Sequence, residues 1–152
     1  MRGASRRPGE AGFSLVEVIV ALGLLAAVLV AMSGLFTLAN HQLASGRNHS
    51  VAISVARDIL EETGGWGFHQ TYSTFGFDGA ASFYTVDSRS HPAAAAWQAT
   101  LESELAQPRA EIEIRSVGGG ALRTATVIRV QVTVHWSEGL RARSLRLTTV
   151  RV

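Results

Sequence analysis

The chain of 152 residues contains no cysteine and no lysine; all 14 of its basic residues are arginine. Without cysteine there are no disulfides, thiolate metal sites, thiol nucleophiles or lipidated amino-terminal cysteine. The arginines are scattered, only Arg6 and Arg7 being adjacent, and the net charge is only +2, so the clustered basic face of a nucleic-acid binder is missing and no direct nucleic-acid binding is expected. Groupings that carry chemistry are missing too. His41, His49, His69, His91 and His135 lie far apart, none with a second ligand at zinc-type spacing. There is no G-x-S-x-G elbow, no phosphate-cradling glycine loop and no carboxylate pair suited to hydrolysis. Glu111 and Glu113 share a strand face that solvent alone explains, and Asp78 and Asp87 do not build an oxygen cage for calcium. No cofactor and no required metal are expected.

A further absence is positional. From Val18 to Asn40 no side chain is charged, and this run concentrates much of the chain's 47% hydrophobic content. At about 1.5 Å per residue it makes a rod of roughly 35 Å, enough to cross a hydrocarbon layer of about 30 Å. The preceding segment, residues 1–12, reads MRGASRRPGEAG, polar and basic through Arg2, Arg6 and Arg7 and broken by Pro8 and Gly9. Basic residues ahead of a span hold that end in the cytoplasm, which sends the chain beyond Asn40 outward. A secretory signal would have a shorter apolar region followed by a small-residue cleavage site, and Ala39-Asn40-His41 is a poor one.

Glu17 breaks the pattern of a plain anchor. It stands four residues past Phe13 within FSLVEVIVALGLLAAV, where a carboxylate in the bilayer costs on the order of 2.5–3.5 kcal/mol. It is either solvated at the headgroup level or paired with a positive group in an assembly. The run Gly12-Phe13-Ser14-Leu15-Val16-Glu17-Val18, followed by an apolar helix, resembles the class III signal of type IV prepilins and type II secretion pseudopilins. That resemblance implies cleavage by prepilin peptidase between Gly12 and Phe13 and methylation of the new amine on Phe13. It also implies that Glu17 neutralises the terminal amine of a neighbouring subunit during assembly. The physics agrees, because a carboxylate and an ammonium that are each costly when buried alone largely offset one another when paired. Gly23, Ala27 and Ala31 recur every four residues, a small-residue stripe that admits close helix packing but that also arises in any alanine-rich span. Gly34 stands where many major pilins have a helix-breaking proline, and softens the helix without forcing a break.

Beyond the span, Arg47, Ser50, Ser54, Asp58 and Glu61 fall on one helical face and Ala52, Val55, Ala56, Ile59 and Leu60 on another, with Gly64-Gly65 as the stop. Alternation in Ala110–Val117, Leu122–Trp136 and Leu140–Val152 predicts an antiparallel meander, with a bulge near Arg143-Ser144 where the apolar phase switches. Residues 65–109 read as irregular, apart from a short helix over 93–105; their aromatic residues are expected to pack over helix and sheet.

The expected fold is α+β and pilin-like: a long N-terminal helix, half membrane-spanning and half amphipathic, on a small antiparallel β-sheet of about three or four strands. The expected organisation is a cleaved leader at 1–12, a transmembrane and filament-core helix at 13–40, its amphipathic continuation at 41–64, a variable region at 65–109 and the meander at 110–152. The resemblance implies a non-enzymatic minor pilin or pseudopilin in the inner membrane, with its C-terminal domain extracytoplasmic. Its partners would be prepilin peptidase, other pilins or pseudopilins, the inner-membrane assembly platform and membrane lipid. The competing reading is a signal-anchored extracytoplasmic enzyme or binding module.

Overall fold

The computed structural model describes residues 14–152. Its first element, α1 (Leu15–Gly65), is 51 residues long. Two compact units share it, residues 1–42 and 43–152.

In the first unit α1 carries an 18-residue window of mean hydropathy 2.8 with none of it buried. Such a surface is stable where lipid, not water, surrounds it, because every backbone donor and acceptor is satisfied inside the helix. The hydroxyls follow the same rule. Ser33 Oγ donates to Leu29 O at 3.0 Å and Thr37 Oγ1 to Ser33 O at 3.0 Å, each one turn back along the helix. The helix runs unbroken through Gly34.

The second unit is a four-stranded antiparallel sheet in the order β1-β2-β3-β4, with the later half of α1 across one face. The strands are β1 (Phe83–Asp87), β2 (Arg109–Ser116), β3 (Ile128–Glu138) and β4 (Arg141–Arg151). Thr63 of α1 is buried, as are Ala52, Val55, Ala56 and Ile59 of the apolar stripe that the spacing picks out, while Leu60 of that stripe is partly buried against them. They meet Ala110, Ile112 and Ile114 of β2 and Val130, Val132, Val134 and Trp136 of β3 in one core. The two alanines keep that helix face low, so that the branched side chains of the sheet close over it.

Three expectations change. Residues 65–109 are not irregular: they contain α2 (Phe68–Ser73), β1 and α3 (Ala95–Glu104). The strand expected to begin at Leu122 begins at Ile128, because Leu122–Thr124 is a 3-10 turn. Leu122 is buried all the same, and the turn is tied to the loop before β1 by Leu122 N–H to Ala81 O and Arg123 N–H to Gly79 O, both 2.9 Å. The expected bulge near Arg143-Ser144 is absent, since the β3–β4 register runs without a break from Ile128↔Arg151 to Glu138↔Arg141. Gly139 and Leu140 form the turn instead, with Gly139 at φ 60°, where glycine meets no Cβ penalty. Leu140 therefore has no part in the strand alternation. Strand pairing also brings Glu111 Oε2 to 4.0 Å from His135 Nε2.

Apart from the exposed Phe83, the aromatic residues of the connecting region pack against the core. Trp66 and Phe75 lie 5.7 Å apart and Trp66 and Trp97 6.4 Å apart between ring centroids, and the Trp97 indole N–H donates to Glu62 Oε2 on α1 at 2.8 Å. Asp78 and Asp87 shape turns: Asp78 Oδ1 accepts from Ala80 N–H at 2.9 Å and from the Tyr84 hydroxyl at 3.0 Å, and Asp87 Oδ1 from Arg89 N–H at 2.9 Å.

Candidate functional site: the amino-terminal helix and its attachment

Gly12 and Phe13, the expected processing pair, lie outside the described residues. Glu17 lies in the first turn of α1, where the partial positive charge of the helix N-terminus favours a carboxylate. Its surroundings are otherwise apolar: Val18, Ala21, Leu22 and Leu25 line the same exposed surface. This turn holds a carboxylate on an oily helix face, open to a cation brought by another molecule. Gly23, Ala27 and Ala31 are also exposed, and a Cβ at Gly23 would meet nothing within 4 Å. The described residues thus leave the small-residue stripe bare.

Two side-chain clusters in the second unit escape sequence reading. At one end of the helix–sheet pair, the Glu138 carboxylate accepts from Ser45 Oγ on α1, from the Trp136 indole N–H and from Arg143 Nε, each at 3.1 Å. The Trp136 hydrogen bond, with those of Ser45 and Arg143 behind it, holds the Glu138 carboxyl below its usual value. His49 lies beside Trp136, their rings 6.2 Å apart.

At the other end Arg151, on the last strand, donates to Thr63 O at 2.9 Å, to Thr71 Oγ1 at 3.1 Å and to Trp66 O. Carbonyls in the last turn of a helix lack intrahelical partners, and a guanidinium satisfies them well. No sequence signal marks either cluster, since Ser45 and Glu138 are 93 residues apart and Thr63 and Arg151 are 88 apart.

An apolar helix whose first turn carries a carboxylate is a feature that can be compared with known proteins. Residues 7–33 match the family described as the prokaryotic N-terminal methylation motif. This motif is the class III signal of type IV pilins and pseudopilins. No curated protein and no solved structure matches the chain. The motif supports a type IV pilin-like substrate of prepilin peptidase that assembles with other pilins, and it points to a structural, non-enzymatic subunit. With the apolar helix it fits a membrane-anchored pilin, and the long helix on a four-stranded antiparallel sheet is the pilin-like α+β architecture.

Proposed function

We propose that the chain is a minor pilin or minor pseudopilin, a subunit of a type IV pilus or of a type II secretion pseudopilus. The observation that carries this reading is Glu17: a lone carboxylate in the first turn of an apolar helix, inside the methylation motif. Prepilin peptidase cuts between Gly12 and Phe13, Phe13 is methylated, and Glu17 neutralises the terminal amine of a neighbouring subunit. A correctly docked pair covers both charges, whereas a slipped pair strands them, so the register of packing follows from electrostatics. Gly23, Ala27 and Ala31 let the next helix approach closely. Before assembly the chain crosses the inner membrane once, with residues 1–12 cytoplasmic and the second unit extracytoplasmic, and the assembly platform extracts it from lipid. A minor role suits a small second unit with no cysteine-closed loop and no proline at Gly34.

Coexpression with prepilin peptidase tests the reading. The mass should fall by that of residues 1–12, and the new terminus should be methylated Phe13. Gly12→Val should abolish the cut, while Glu17→Gln should be cut normally and fail to enter filaments. A chain that still begins at Met1 beside an active peptidase sinks the proposal, and normal filament entry by Glu17→Gln removes the pairing argument.

A further inference from the structure

The sheet of the second unit ends on β4, and that edge is open. β4 stands last in the strand order, and among the described residues its backbone hydrogen-bonds only to β3. Every second residue of the strand therefore turns its N–H and C=O outward. The opposite edge, β1, is five residues long, as short as protected edges usually are, whereas β4 runs for 11 residues without a proline or a bulge. The core beneath this edge is also unfinished. Val132 and Val134 of β3 are wholly buried, but their partners on β4, Leu147 and Leu145, stay half-buried at the rim. Arg146, between them, lies on the opposite face, exposed and with no ion-pair partner among the described residues.

Charge decides what can pair there. β4 carries four arginines and no acid. Full antiparallel pairing of two β4 edges is centred on Arg146 and sets that arginine of one copy opposite the same arginine of the other. Like charges directly opposed across a ladder are destabilising, and natural edges use them to prevent self-pairing. The β1 edge of a second copy fits no better. It is less than half as long as β4, and its one acid, Asp87, already accepts from Arg89 N–H at 2.9 Å and stands 3.5 Å from Arg109.

We propose that β4 takes an extended segment of another protein as a fifth strand, one in which apolar and acidic residues alternate. Main-chain hydrogen bonds to the outward N–H and C=O groups supply affinity, and the two-residue period of the side chains supplies the choice of partner. With its apolar side chains on the face that α1 covers, the segment closes over Leu145 and Leu147. Its acids then fall on the outer face beside Arg146. A slip of one residue reverses both matches, so pattern and register are selected together. Every residue involved lies in the second unit, and the contact is independent of what the apolar run of α1 does.

Hydrogen exchange on the full chain in detergent tests this, with a short end-capped peptide of alternating valine and glutamate as the probe. The peptide should slow exchange of the outward amides of residues 141–151 several-fold and leave those of β1 unchanged. A valine–lysine peptide of the same pattern should protect several-fold less. Arg146 is exposed, so Arg146→Glu keeps the fold, and it should exchange the two preferences. A peptide of the same composition with its valines and glutamates in separate blocks should give no protection. Absence of protection in 141–151 at millimolar peptide overturns the strand addition, and so does equal protection by the block peptide, which marks plain charge attraction. Equal protection by the valine–lysine peptide overturns the part assigned to Arg146. Slowing of β4 exchange that rises with the concentration of the chain alone overturns the choice of another protein in favour of a second copy.

Discussion

Arg151 is the last residue of β4, and loss of the end of a strand is commonly tolerated. Here it should not be tolerated. The guanidinium donates to Thr63 O, Trp66 O and Thr71 Oγ1, and so ties β4 both to the end of α1 and to α2. Hydrogen bonds to a charged group contribute about 1.5–3 kcal/mol each, with the lower end applying where water can replace the donor. Arg151 is half-buried, so Arg151→Ala should cost about 2–4 kcal/mol, with water recovering part of the loss. For a unit of this size that lowers the unfolding midpoint by about 8 °C or more. Deleting residues 151–152 should do the same. Lysine brings one compact ammonium instead of a planar fork, so Arg151→Lys should restore only part. The assay is tryptophan fluorescence of the full chain in detergent, because Trp66, Trp97 and Trp136 all lie in the second unit while the apolar run contributes none. A loss below about 0.5 kcal/mol, the range of ordinary surface changes, would refute the assignment of Arg151 as the cap of α1.

The Glu138 carboxyl is held below its usual value in the folded chain, so its contribution is fully present above the unfolded-chain value and is lost as pH falls through the folded one. Glu138→Gln should therefore lower the denaturation midpoint at about pH 7, and that loss should shrink steadily as pH falls below the ordinary carboxylate range; a loss that does not change with pH would contradict the linkage. Gly79 has φ +71°, and a Cβ there would stand 2.8 Å from the Tyr72 ring and 3.1 Å from Arg123 Cβ. Gly79→Ala should destabilise by about 2–4 kcal/mol in chemical denaturation, backbone strain and overpacking together.

What could be read from the sequence divides along a physical line. Signals carried by near neighbours were legible: the uncharged run of Val18–Asn40, the charge at Glu17, and the stripe of Ala52, Val55, Ala56 and Ile59 that packs on the sheet. The stretch from Ala95 to Glu104 forms α3, close to the helix expected over 93–105. Signals that depend on distant pairing were not. β1 is five residues long with Phe83 exposed, too short for alternation to stand out, and it exists because β2 supplies its hydrogen bonds. Leu122 continues the apolar phase of β3 and is buried, yet its backbone bonds to the loop before β1 instead of a ladder. The apparent phase switch in β4 comes from Leu140, which is a turn residue, and from Ala142, which lies exposed on the face of β4 opposite to Leu145 and Leu147. Glu138 and Arg151 read as surface charges until the fold sets each beside α1.

Because the sheet is joined to its helix near Ser45 and again near Thr63, a tug delivered along the rod does not meet the two attachments one after the other. The strands lie lengthwise beside the rod, so the load arrives as shear, and slippage requires both joints and the alanine-lined seam between them to yield together.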